Sequence, residues 1–224
     1  MELKLFHGST KIIEKPQFGL GKPWNDYGRG FYCTGEAELA KEWACASGMS
    51  GASSLSGYSN EYRLWTDGLS ILNLTAKEYS ILNWLAVLLE NRTFNLRSEI
   101  GLQGRDFLLE HYSISYKKKD VIIGYRADDS YFAFANAFLN NTISMEQLSK
   151  AMKLGNLGEQ VAIMSKEAFE RLRFVEALPV DGQIYHAKYH LRDDKAREEY
   201  AKLTAKMDQK GTYLIDLIRG NRRN

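Results

Sequence analysis

Short strand-like runs and short helical patterns succeed one another along this chain without regular alternation, and that irregularity is the strongest limit on its fold. A doubly wound parallel sheet needs strand and helix to alternate, so the expectation is an α+β protein. Residues 3–7 (Leu-Lys-Leu-Phe-His) alternate apolar and polar for part of their length and break at Gly8-Ser9, which predicts a short strand with His7 at its end. Gly19, Gly21, Pro23, Asn25, Asp26 and Gly28 make residues 16–30 a loop dense in turn-formers, before strand-like chemistry returns at residues 30–34. Thr34 stands where it can cap a helix over residues 36–45, whose first turn is acidic and whose Leu39, Ala40, Trp43 and Ala44 share a face.

Small residues fill positions 46–60 and read as a surface connector. Strands are predicted over 61–65 and 69–74, and a buried helix over 81–90 with Trp84 inward. The β-branched run Val121–Tyr125 reads as a central strand, followed by Asp129-Ser130 as the cap of a helix over 131–140. Ser144 and Gln147 form a capping-box pattern, and Gly158-Glu159-Gln160 leads into a strand over 161–164 and a helix over 166–173. Past Asp181 the pattern predicts a strand over 184–189, a charged helix from Arg192 to about Lys210, and a basic tail. The expected organisation is a domain over 1–180 with a C-terminal strand and charged helical extension, 181–224, packed on it.

Thirty basic against 28 acidic residues leave a charge of +2, so the field of the whole molecule argues for neither a nucleic-acid nor a membrane partner. Cys33 and Cys45 are too few for a disulfide framework and stand in no pattern that holds zinc, so no metal site is expected. The longest apolar run, residues 81–89, is about half the ~20 residues of a membrane span. With no secretory leader pattern at residues 1–7, these features point to a cytoplasmic protein.

Five segments then arrive in an informative order: His7-Gly8-Ser9, Tyr27-Gly-Arg29-Gly30-Phe31-Tyr32-Cys-Thr34, Glu38-Leu-Ala-Lys-Glu-Trp43-Ala44, Ile123-Gly-Tyr-Arg126-Ala-Asp128-Asp129-Ser-Tyr-Phe132 and Gly158-Glu159-Gln160. Together they resemble a bacterial family of uncharacterised ADP-ribosyltransferase-like proteins of the His–Tyr–Glu superfamily, over roughly residues 3–175. The resemblance implies split mixed and antiparallel sheets flanked by helices, with NAD as co-substrate. It implies that His7 holds a ribose hydroxyl, that the backbone of Gly8, beside Ser9, pairs with the carboxamide, and that Tyr32 stacks on nicotinamide. Trp43 stands where some relatives carry a second stacking aromatic. Arg29, next to Gly30 and Phe31, could reach a pyrophosphate. Each has a plainer reading: His7 as a structural residue at a strand end, Tyr32 and Trp43 as core aromatics, Arg29 as a solvated loop residue.

The third motif departs from the superfamily pattern. Where relatives carry Glu, this chain has Gln160, which can hydrogen-bond a hydroxyl but carries no charge and takes no proton. Glu159 is adjacent, yet neighbours on a strand face opposite sides, so one of the two enters the site and Gln160 occupies the matching position. Arg126, Asp128 and Asp129 could line the acceptor side and supply a carboxylate, although both aspartates also suit a helix N-terminus. The resemblance implies transfer of ADP-ribose to a protein or nucleic acid, as a toxin either of a toxin–antitoxin system, with a cognate antitoxin protein, or of a phage-defence system. A non-catalytic NAD or ADP-ribose-binding module is the alternative, and a nucleic-acid binder using residues 117–119 and the basic tail a third.

Overall fold

The computed structural model describes residues 1–46, 57–127, 129–156 and 158–221. Its strands are β1 (Glu2–Ser9), β2 (Phe31–Thr34), β3 (Gly57–Trp65), β4 (Ile71–Asn73), β5 (Val121–Tyr125), β6 (Glu159–Ile163) and β7 (Leu172–Val180). They form one seven-stranded mixed sheet in the order β4-β5-β6-β2-β1-β3-β7. Neighbours run antiparallel except β4 and β5. β1 and β2 meet at a single pair, Phe6 opposite Thr34, so the two halves of the sheet join along a narrow seam. Just past that pair a side chain replaces the ladder: His7 Nδ1 lies 2.7 Å from the Tyr32 carbonyl oxygen.

The helices are α1 (Ala37–Cys45), α2 (Ile81–Asn91), α3 (Glu99–His111), α4 (Asp129–Leu139), α5 (Met145–Ala151), α6 (Lys166–Glu170), α7 (Gly182–Thr204) and α8 (Leu214–Asn221). Strand alternation divides the core between two faces. Tyr32, Ile122 and Ala162 belong to the face covered by Trp84, Leu85, Phe138, Leu148 and Leu214. Cys33, Val121, Val161 and Ile163 pack on the other with Leu5, Tyr62, Leu64 and Ala168. Gln160, two residues before Ala162, therefore shares the helix-covered face.

The C-terminal extension differs from expectation. No strand forms over 184–189; the Asp181 side chain accepts from the Gln183 and Ile184 amides at 2.9 and 3.2 Å and starts α7. The extension is helical, and it completes the core through Ala196, Leu214 and Ile218. α8 presses so closely on α3 that a Cβ at Gly104 would sit 2.9 Å from Leu214 Cγ. The helix predicted over 166–173 stops at Glu170, and Leu172 opens β7, opposite Leu64 of β3. Thr34 does not cap α1: Glu36 is the boundary residue, and Thr34 Oγ1 accepts from its amide at 3.2 Å. The Ser144–Gln147 capping box forms, with both bonds at 3.0 Å. The connector over 46–60 falls largely outside the described residues, and its last residues begin β3. Among the described residues no helix is long and apolar enough to cross a membrane.

Candidate active site

A cavity of about 600 Å³ opens where β1 and β2 separate. The strands contribute His7, Gly8, Phe31, Tyr32 and Gln160, and α1 contributes Trp43. Asp26 and Gly30 come from the turn-rich loop, Arg92 from the end of α2, and Arg126 and Ala127 from the end of β5. Gly8 lets β1 pass against α1, since a Cβ there would overlap the Ala40 carbonyl and approach Ala44 N to 2.6 Å.

The Tyr32 carbonyl can only accept, so the proton of neutral His7 sits on Nδ1 and Nε2 is left as an acceptor. Burial lowers the His7 pKa below its ordinary 6.5, which keeps the ring neutral. Phe31 packs against it with ring centroids 4.3 Å apart. The Tyr32 hydroxyl donates to the Gly28 carbonyl at 2.7 Å and accepts from the Tyr27 amide at 3.0 Å, tying the loop to β2. Burial pushes this phenol well above its usual range, so it stays protonated. On α1, the Arg126 guanidinium lies 4.0 Å from the centre of the Trp43 ring. Trp43 Nε1 is buried and, among the described residues, has no hydrogen-bond partner.

Gln160 is 4% exposed, and its amide is held from behind. Nε2 donates to Asp26 Oδ2 at 2.8 Å and to the Tyr125 carbonyl at 2.9 Å. That carbonyl also accepts from the Tyr27 hydroxyl at 2.6 Å and Trp84 Nε1 at 3.2 Å. Asp26 accepts further from the Ala127 amide at 2.8 Å and Arg92 Nη1 at 2.9 Å. Burial pushes the Asp26 carboxyl above the usual range, opposed by its bonds from Ala127 and Gln160 and by the charges of Arg92 and Arg126.

Residues 3–174 match the model of the family described as a protein of unknown function, DUF3990. The chain belongs to this family. The match ends inside β7, so α7 and α8 of this DUF3990 chain lie beyond the matched span, which holds all the cavity residues named above. No curated protein and no solved structure matches the chain.

Other sequence-derived candidates of the DUF3990 chain fall elsewhere. Arg29 is exposed outside the cavity, its Nη1 donating to the Gly19 carbonyl at 3.3 Å; the arginines on the cavity wall are Arg92 and Arg126. Ser9 ends β1 away from the lining, with Oγ accepting from the Lys11 amide at 3.2 Å. Glu159 points into a separate groove with Glu36, Lys153 and Tyr125, where it accepts from the Thr75 hydroxyl. Asp128 lies outside the described residues, and Asp129 is the first residue of α4. Among the described residues, the carboxylate that lines the cavity is Asp26, and no three His, Cys, Asp or Glu side chains gather to hold a metal. In sequence Asp26 has the character of a turn-former and Arg92 carries no mark; their place on the cavity wall is set by tertiary contacts.

Proposed function

We propose that this cavity binds NAD and that the protein transfers ADP-ribose from it to an intracellular macromolecule. The observation that carries the reading is the convergence of His7, Tyr32, Trp43 and Gln160, from segments far apart in sequence, on one cavity of ligand-binding size. The ordered motifs that resemble ADP-ribosyltransferases supply these same side chains.

In the proposed step the bond between ribose C1′ and nicotinamide breaks and its electron pair leaves with nicotinamide. An acceptor nucleophile then bonds to C1′ and releases its proton to water. His7 Nε2 and Gln160 Oε1 are acceptors suited to ribose hydroxyls. Tyr32 offers an aromatic face to the nicotinamide ring, and Trp43 offers a second when Arg126 moves from its ring to the diphosphate. Arg92 and Arg126 supply positive charge for the diphosphate. Incubating purified protein with NAD and quantifying nicotinamide tests the chemistry. Labelled NAD with a cell extract, followed by separate protease and nuclease digestion, identifies the class of acceptor. No nicotinamide release above the protein-free rate would refute the transferase reading.

The neutral Gln160 favours a second reading, a module that binds NAD or ADP-ribose without cleaving it. Tight binding with no cleavage would assign that one. For an active transferase the cellular role proposed is a toxin restrained by an antitoxin protein. Induced expression should then arrest growth, and His7→Ala should relieve the arrest.

A further inference from the structure

We infer that Asp26 is the positioning residue that fixes the Gln160 amide with its carbonyl toward the cavity, so that a loop carboxylate and a strand amide together stand in for one carboxylate. The inference rests on the NAD reading of the cavity. Gln160 Nε2 faces two oxygens, Asp26 Oδ2 at 2.8 Å and the Tyr125 carbonyl at 2.9 Å. Turning the amide over would set Oε1 against both, losing two hydrogen bonds and opposing a carboxylate, so the network itself selects the orientation. With both Nε2 hydrogens committed, the remaining capacity of the side chain is that of Oε1, which accepts a hydroxyl.

Asp26 is held for this task from three elements. Ala127, just past β5, donates its amide to Oδ2, Arg92 at the end of α2 reaches Oδ1, and Gln160 on β6 donates to Oδ2. Burial pushes the Asp26 carboxyl up, and the donors on both of its oxygens, with the charge of Arg92, oppose that shift and favour the anion. An amide that donates to an anion is polarised, which makes its carbonyl oxygen a stronger acceptor. The cavity thus presents a neutral group whose negative end is backed by a charge one hydrogen bond away.

The test follows the Gln160 side-chain NH₂ signals by NMR in the wild type, Asp26→Asn and Asp26→Ala, alongside steady-state NAD cleavage by each. Slow hydrogen exchange of the Gln160 NH₂ is expected in the wild type and rapid exchange in Asp26→Ala. kcat for Asp26→Ala should fall about tenfold or more while KM moves less than about threefold. Adding Gln160→Ala to Asp26→Ala should lower kcat by less than about threefold further, because the two act as a unit. Asp26→Asn keeps an oxygen for Gln160 but not the charge, so it should recover most of the exchange protection and only part of the lost kcat, and it covers the case in which Asp26→Ala does not fold. Exchange protection unchanged in Asp26→Ala, an Asp26→Asn variant with the amide held but as slow as Asp26→Ala, or fully multiplicative losses would each overturn the inference. If the wild type cleaves no NAD, the functional reading falls, and the exchange measurement alone still decides whether Asp26 orients Gln160.

Discussion

From the sequence alone, Gln160→Glu returns the charge that the third motif lacks and should raise NAD cleavage, unless desolvation of the carboxylate in a site shaped for an amide cancels the gain. The hydrogen bonds around Gln160 argue for the opposite outcome. The new carboxylate would face Asp26 Oδ2 at 2.8 Å and the Tyr125 carbonyl at 2.9 Å, with no hydrogen to offer either. One charge-assisted and one neutral hydrogen bond are lost, together about 2–4 kcal/mol. Two carboxylates this close do not both ionise, so one pKa of the pair rises strongly and they share a proton. A carboxyl with a raised folded-state pKa binds its proton more tightly folded than unfolded, so it loses stability as pH rises through that pKa. Gln160→Glu should therefore be only mildly destabilised near pH ~5, where the shared proton makes one hydrogen bond, and destabilised by about 2–4 kcal/mol near pH ~8. Urea denaturation of variant and wild type at both pH values measures the widening gap, and nicotinamide release should fall rather than rise. A gap that is the same at both pH values, or faster cleavage by the variant, would refute the reasoning.

His7 works in the opposite direction: its folded-state pKa lies below the ordinary 6.5, so the unfolded chain takes up the proton first as pH falls. Its contribution to stability is present above pH 6.5 and is lost as pH falls toward the lowered value, so thermal melts of His7→Gln should lose less stability than wild type on going from neutral pH to about pH 5. Gly8→Ala places a Cβ 2.6 Å from Ala44 N, against backbone that cannot swing away, and should destabilise by more than about 2 kcal/mol in urea titrations. Glu42→Gln keeps one acceptor for Arg192 but removes the charge and sets an NH₂ against the guanidinium in place of the other of the two 2.7 Å contacts that join α1 to α7. With Glu42 4% and Arg192 23% exposed, a loss of about 2–3 kcal/mol is expected, smaller than for a fully buried pair, and equal stability would show that α7 docks without this contact.

What could be read in advance followed local pattern. β5 and α2 are apolar runs of the right length, and the Ser144 capping box is a signal written within four residues. α7 escaped because it is polar on nearly every side: Gly182 and Ala196 are its buried residues, so no helical stripe marks it and Ile184 and Tyr185 passed for strand. α3 was hidden by Gly101 and Gly104, which disfavour helix locally and are tolerated because neighbours press against them. β7 is an edge strand whose exposed Arg173 and Glu176 disguise it. At the cavity, the strand-borne motif residues could be named from sequence because their order carries information. Asp26 could not, since its partners Arg92, Ala127 and Gln160 lie far along the chain and no local rule connects them. Trp43 was legible as a residue on an apolar helix face and, through the resemblance, as a second stacking aromatic; its pairing with Arg126 is tertiary.

The seating of α8 on α3 bears on how the protein comes into being. Every motif of the cavity is translated before Leu214 and Ile218, the side chains that fill the trough against Gly104 and finish the helical core. Domains fold as units during synthesis, and a core lacking its last pieces exposes apolar surface. Arg192, which steadies the helix bearing Trp43, is also made late. A nascent chain therefore carries every residue of the cavity lining before the side chains that fill the trough against Gly104 have been made.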